Sequence, residues 1–350
     1  MIDVEAIRTN LEIARKRAPT SKVVAVVKAN AYGHGARLLA SRISTADAYA
    51  VSCLEEAAEI RDVARGKPIM LLEGFFEQHE LNLVDELDLW PVVHSFDQIR
   101  QLGSPAAPRI RNVWLKLDIG MNRLGFRPEE IPVALEALRS TATGTRVLGV
   151  MAQLSSADDV KSGTTPEQHR LAQSFSREGL ELSLSNSAGV LAWPPAEREW
   201  IRPGIMIYGA SPLPGRLGTD FGLKPAMTFT SELISVRQCR AGESVGYGAA
   251  FTCPQDMPVG TVAVGYGDGY PRAAPQGAPV LVNGKRAPRV GRVCMDMIMI
   301  DLRDLPAARP GDPVVLWGDG LPVEEIAGLS GTIPNELLSG IAPRVPRVPS

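Results

Sequence analysis

Between residues 23 and 208 the sequence repeats one pattern, short and continuously apolar runs separated by stretches of helical periodicity, and this restricts the fold more than any other feature. The runs are VVAVV at 23–27, AYAV at 48–51, IMLL at 69–72, LWPVV at 89–93, NVWLKLD at 112–118, VLGVM at 147–151, ELSLS at 181–185 and IRPGIMIY at 201–208. Strands that are apolar throughout, rather than at alternate positions, are covered on both faces, as parallel strands are. Helical patterns, among them 4–17, 53–64, 128–140 and 166–179, supply the crossovers that parallel strands require. Eight such units predict an α/β chain that begins with a (β/α)8 TIM barrel.

The pattern breaks at 211–225, SPLPGRLGTDFGLKP, where Gly and Pro crowd together as in a linker. Beyond it come short strand-like runs at 226–238, 261–265, 278–284, 294–302 and 314–318, divided by turn residues. The sequence therefore predicts two domains, a barrel over 1–220 and a mostly β C-terminal domain over 221–350.

A formal charge of −2 gives no footprint for nucleic acid or an anionic membrane surface, so the expected partners are small molecules. No apolar stretch reaches the roughly 18 residues of a membrane span, and MIDVEAIRTN carries Asp3 and Glu5 where a secretory signal is positive. A cytoplasmic protein is expected. Cys53, Cys239, Cys253 and Cys294 show no metal-binding or redox spacing and read as small hydrophobes.

In such a barrel the reactive side chains sit where strands end. Lys28 closes VVAVV and is followed by the glycine-bearing turn ANAYGHG, in a chain that has eight lysines. A lysine desolvated against apolar walls can become a neutral amine, able to condense with an aldehyde or take a proton from carbon; the alternative is a solvated or salt-bridged side chain. Arg123, in GMNRLGF after the fifth run, either clamps a carboxylate or phenolate or bonds to loop carbonyls. Asn186 and Ser187 follow the seventh run, and Gly204 and Ile205 lie in the eighth, positions where barrels bind phosphate. An amine and a phosphate cradle on one mouth suit a phosphorylated aldehyde, which points to pyridoxal phosphate.

The strings VVKANAYGHG, GMNRLGF, SNSAG, RPGIMIYG, VGYGAAF, VGYGDGYPR and GRVCMDMIMID, in this order, resemble those of the alanine racemases, and the resemblance extends to RVPRV at 344–348. It implies interconversion of L- and D-alanine by two bases on a pyridoxal-phosphate Schiff base, serving peptidoglycan or alanine catabolism. Lys28 falls on the cofactor lysine and first base. Tyr32, Ser187, Gly204 and Ile205 fall on the phosphate cradle, with Asn186 beside them. Arg202 falls opposite the pyridine nitrogen; a guanidinium can donate to that nitrogen without protonating it. Arg123 matches the arginine between cofactor phenolate and substrate carboxylate. The second base maps to Tyr247, supplied by the other subunit of a homodimer, with Cys294, Met295 and Asp296 lining the shared site and Tyr266 at its entrance. Lys116 aligns with a lysine that some relatives carbamylate.

Two positions depart from the family pattern. Gln153 stands in MAQLSSAD where a histidine is common, which keeps a hydrogen-bonding group near Arg202 but removes a stacking surface. Pro343 replaces a tyrosine before RVPR, which removes a phosphate donor and opens the substrate range toward serine and larger amino acids. His34, though inside a matched motif, reads as structural. The rival readings are a pyridoxal-phosphate decarboxylase, which would favour an acidic residue at the pyridine nitrogen, and a cofactor carrier, which would leave the β domain without a purpose.

Overall fold

In a computed structural model, described over residues 1–141, 144–176 and 179–350, the first eight strands are β1 (Lys22–Val26), β2 (Ala48–Val51), β3 (Ile69–Leu71), β4 (Leu89–Val93), β5 (Asn112–Lys116), β6 (Arg146–Met151), β7 (Glu181–Ser183) and β8 (Trp200–Ile201). All pair in parallel in the spatial order β7-β6-β5-β4-β3-β2-β1-β8. The ring closes where the Ser183 hydroxyl donates to Trp200 O (2.7 Å) and the Arg202 N–H to Ser185 O (2.8 Å). This is the expected barrel.

The strand pleat divides it into two apolar compartments. Val23, Ala25, Val27, Tyr49, Val51, Leu115 and Ile201 pack outward against the helices. Val24, Val26, Ala48, Ala50, Met70, Val92, Trp114, Met151 and Trp200 fill the interior.

Several expected boundaries move. The first helix is Val4–Arg17 as predicted, capped by Asp3, whose carboxylate accepts the Ala6 N–H at 2.9 Å. The 53–64 helix is Leu54–Arg61, and 128–140 opens as a 3-10 turn before the helix Ile131–Arg139. The 166–179 helix runs over Thr164–Ser176; its expected positions 177 and 178 lie outside the described residues. The eighth strand stops at Ile201 instead of continuing to 208. Pro203 has no N–H for a ladder, and Ile205–Tyr208 forms a 3-10 turn.

The second region is a closed antiparallel barrel in the order β12-β15-β14-β13-β16-β9, built from β9 (Phe229–Cys239), β12 (Met257–Val262), β13 (Pro279–Val282), β14 (Lys285–Val290), β15 (Ile298–Asp301) and β16 (Pro313–Trp317). A hairpin of β10 (Ser244–Val245) and β11 (Phe251–Thr252) projects from it with Tyr247 at its tip. The expected strand at 294–302 begins only at Ile298, because the Cys294 N–H turns back to Met297 O (3.0 Å). Two helices, Val323–Leu329 and Pro334–Ser339, were not expected from the sequence. No helix of the described residues is long and apolar enough to cross a membrane.

The two regions are laced together. Ile2 donates to Val348 O (2.8 Å), Asp3 N–H to Ala226 O (2.8 Å) and Ser350 N–H to Ile2 O (3.0 Å). Gly33 lies so close to the second region that a Cβ there would sit 2.0 Å from Leu338 O, at a φ of +79° that favours glycine. Gly33→Ala is therefore expected to cost at least about 2 kcal/mol, beyond the usual range of a surface substitution. Urea unfolding of the apoprotein checks this; an unchanged midpoint would show that the regions do not meet there.

Candidate active site

The alternation that fills the barrel interior also decides which polar groups reach its mouth. Val24 and Val26 face inward, and two residues on stands Lys28; Trp114 is followed in the same sense by Lys116, and Trp200 by Arg202. Three basic side chains thus crown an apolar plug. They line a cavity of about 520 Å³ together with Tyr32, Arg123, Gln153, Asn186, Ser187, Gly204 and Ile205. Glu73 and Asp158, which sequence reasoning passed over, line it too, as do Ile333, Pro334 and Asn335 from the second region.

Immediately after Lys28 the backbone turns left-handed. Ala29, Asn30, Ala31 and Tyr32 have φ between 51° and 54°. For L-residues this conformation costs about 1–2 kcal/mol each, somewhat less for Asn, so the turn holds several kcal/mol of strain and must be clamped from outside. The Asn30 carboxamide oxygen accepts the Ala36 N–H (2.8 Å). The Nδ1 of buried His34 lies 2.8 Å from Tyr32 O and 3.1 Å from Ala31 O, so Nδ1 carries the hydrogen. The ring stacks on Tyr208 at 4.5 Å, and the Tyr208 hydroxyl donates to Val26 O at 2.8 Å. Arg347 Nε donates to Gly33 O (3.0 Å). His34 is a clamp, in line with its structural reading.

The turn aims Tyr32 at Gly204, where a Cβ would lie 2.6 Å from the Tyr32 hydroxyl. Burial pushes the Tyr32 pKa up to about 12, so the hydroxyl remains a donor. Beside it, Ser187 Oγ accepts the N–H of Gly204 (2.9 Å) and of Met206 (3.3 Å). Asn186 caps the short helix Ser187–Ala192, its Oδ1 taking the Gly189 N–H (2.9 Å). Behind these residues lies Glu199, a buried carboxylate that the sequence did not single out. It accepts N–H groups of Leu184 (2.8 Å), Ser185 and Ala196 (3.1 Å) and fixes the loop that presents Ser187.

Arg202 is buried, and its guanidinium donates to Ser183 Oγ (2.5 Å), Ala152 O (2.6 Å) and Gln153 Oε1 (3.0 Å). Burial lowers its pKa to about 10, opposed by Glu199, which leaves it protonated at neutral pH. Gln153 is thus a working hydrogen-bond partner of Arg202. Burial first, then the charges of Arg202 and Arg123, depress the Lys116 pKa to about 7, with Asp118 opposing. Arg123 sits on a loop folded back onto β5 by Asp118 N–H to Phe126 O and Phe126 N–H to Lys116 O (both 2.8 Å). Its guanidinium makes no hydrogen bond or ion pair within the described residues, which leaves it to the cavity rather than to loop carbonyls.

Tyr247, Tyr266, Cys294, Met295 and Asp296 line no part of this cavity in their own chain. Tyr247 is 72% exposed, Tyr266 and Met295 are exposed as well, and Asp296 accepts from Arg344 (2.7 Å). The Arg292 guanidinium lies against Gly248, where a Cβ would be 3.1 Å from it, and so places a cation next to the Tyr247 tip. Pro343 is exposed and outside the cavity wall.

The pH dependence of the clamp follows from His34, whose burial lowers its pKa from 6.5 to about 4. Between these values the unfolded chain binds the extra proton, so stability falls as pH drops from about 6.5 to about 4. Wild type should lose up to about 3 kcal/mol more over that window than His34→Gln. Parallel denaturation curves for the two proteins would refute it.

Residues 2–212 match the alanine racemase N-terminal domain and residues 226–349 the alanine racemase C-terminal domain. The alanine racemase of Aeromonas hydrophila is 45% identical over 345 residues, covering 98% of this chain and 97% of its own. The biosynthetic alanine racemase of Escherichia coli K12 is 44% identical, covering 99% and 97%. The crystal structure of the biosynthetic alanine racemase from Pseudomonas aeruginosa superposes with a TM-score of 0.95 at 46% identity, covering 100% of this chain and 98% of that one. A structure from Bartonella henselae, described as alanine racemase with covalently bound pyridoxal phosphate, gives 0.89 at 27% identity, covering 100% and 98%. With both regions matched and the barrel mouth built as described, the chain belongs to the alanine racemase family.

Proposed function

We propose that pyridoxal phosphate binds at the barrel mouth, attached to Lys28, and that Tyr247 of a second copy completes each site. The activity is that of the family, interconversion of L- and D-alanine. One observation carries the reading: Lys28, the Tyr32–Gly204–Ser187 cradle and Arg202 share one cavity, while Tyr247 stands exposed outside it.

The residues present suit the cofactor. Glycine at 204 leaves room for the Tyr32 hydroxyl, and the Ser187 hydroxyl, whose oxygen takes the Gly204 N–H, and the backbone N–H of Ile205 would be further donors to a phosphate. Bound there, the cofactor supplies an electron-withdrawing ring that acidifies the α-hydrogen of the amino acid. Arg202, held by Ser183, Ala152 and Gln153, would serve the pyridine nitrogen as a donor that keeps its proton. This disfavours a decarboxylase, which needs the stronger electron sink of a protonated ring. Arg123 receives the substrate carboxylate. Lys28 moves the α-proton on one face and Tyr247 of the second copy on the other, with Met295 at the substrate and Cys294, Asp296 and Tyr266 around it. The second copy is needed because a single base returns the proton to the side it came from.

Lys116 supports a further step. An amine whose pKa is near 7 is about half in its neutral, nucleophilic form at neutral pH and can add carbon dioxide, releasing a proton and leaving a carbamate. The anion would offset Arg123 and Arg202. We place the enzyme in the cytoplasm; the biosynthetic designation of two similar proteins supports supply of D-alanine as its role.

Mixing two inactive variants tests the shared site. Lys28→Ala and Tyr247→Phe should each lose roughly a thousandfold or more in racemisation, in keeping with removal of a catalytic base. Randomly mixed chains should regain about a quarter of wild-type activity, since half the dimers carry one intact site. Mixtures that stay inactive while both variants bind cofactor would refute the exchange of Tyr247. For Lys116, protein equilibrated with carbon-13 bicarbonate should show a carbamate resonance that Lys116→Met lacks; the same spectrum from both proteins would exclude the modification.

A further inference from the structure

Lys28 leaves the barrel at the residue before the left-handed turn, so the direction of its amine depends on how the first peptide of that turn is held. The Ala29 N–H is the first donor of the turn, and its acceptor comes from another element: Oε1 of Glu56, at 2.6 Å. The second oxygen of the same carboxylate accepts the Ser52 N–H at 2.8 Å. Ser52 follows β2, and Glu56 lies within the helix Leu54–Arg61.

The Ser52 bond is an ordinary reach-back of a helix to the residues before its own start. The Ala29 bond is not, because it crosses 27 residues of sequence and joins the carboxyl end of β1 to that of β2. We propose that Glu56 is a positioning residue for Lys28. Its carboxylate pins the peptide that follows the lysine, and through the turn it sets the Tyr32 hydroxyl against Gly204. The inference rests on the cofactor reading above.

A carboxylate suits this place because both neighbours are donors and each oxygen takes one of them. Glutamine offers one oxygen and turns an NH2 toward the other N–H. Charge-assisted bonds of this kind contribute more than neutral ones and are lost in Glu56→Gln. Elsewhere in the chain Glu324 offers a control for loss of a charge alone, since a glutamine there keeps the one oxygen that both donors use. Its Oε1 accepts two backbone N–H groups, those of Ser211 (2.9 Å) and Gly218 (2.8 Å), away from Lys28.

The test compares wild type, Glu56→Gln and Glu324→Gln as apoproteins. Each is titrated with pyridoxal phosphate, the covalent adduct is trapped with borohydride and located by peptide mass, and the thermal midpoint is recorded. Glu56→Gln should bind the cofactor about ten- to a hundredfold more weakly and carry less adduct on Lys28 at equal loading. Glu324→Gln should bind as wild type does, whatever its midpoint. With α-deuterated substrates, Glu56→Gln should raise the isotope effect for one alanine enantiomer only, the one whose proton Lys28 takes. If Glu56→Gln fails to fold, Glu56→Asp serves, since it keeps the charge but is one methylene too short to reach both donors. Wild-type affinity and adduct yield in a folded Glu56 variant, with loss of stability alone, would overturn the proposal. Absence of any Lys28 adduct in wild type would instead overturn the cofactor reading.

Discussion

Inside the first barrel every second residue of a strand faces the other strands across a closed space, and only apolar side chains can fill it. The site depends on this constraint. Trp114 and Trp200 close the interior below Lys116 and Arg202, so the charges have only the open end to occupy. Burial at that end depresses the pKa of Lys116 and Arg202, with no ion pair to either among the described residues, so Lys116 holds its proton less firmly than a surface lysine would. The same walls that exclude water from the core convert position along a strand into chemistry.

A second constraint acts on the backbone. Four successive residues in the left-handed region could not persist in a free peptide, where the strain would equal a large fraction of a domain's net stability. They persist because contacts converge on the turn and its flanking Gly33 from elsewhere in the chain: Glu56 at Ala29, Tyr208 at the Tyr32 ring, and Leu338 and Arg347 at Gly33. The result is a short rigid segment with Lys28 at one end and Tyr32 at the other, two groups that must keep a fixed separation if one is to hold an amine and the other a phosphate.

Much of this was legible in the sequence. Continuous apolar runs gave the eight strands, the strand ends gave Lys28, Arg123 and Ser187, and Arg202 came only from the family resemblance. The eighth strand was overextended because IRPGIMIY is apolar enough to read as one, although Pro203 already forbade a ladder there. In the second region β14 was passed over, since Lys285, Arg286 and Pro288 interrupt its pattern; the Asn283–Gly284 turn before it was the available signal of a hairpin. Glu56 and Glu199 could not be found by periodicity. Each looks like an ordinary polar residue, and its role lies in backbone donors brought to it by the closed barrel.

The contact between Gly33 and Leu338, and that between Gly33 and Arg347, join positions separated by more than 300 residues. A chain emerging from the ribosome exposes the complete set of barrel strands long before it exposes either partner. During that interval Lys28 sits on a turn without two of its clamps, free to leave the left-handed conformation. The order of synthesis therefore separates assembly of the barrel strands from completion of the turn that carries Lys28, and the last helix of the second region acts as the latch that ends the interval.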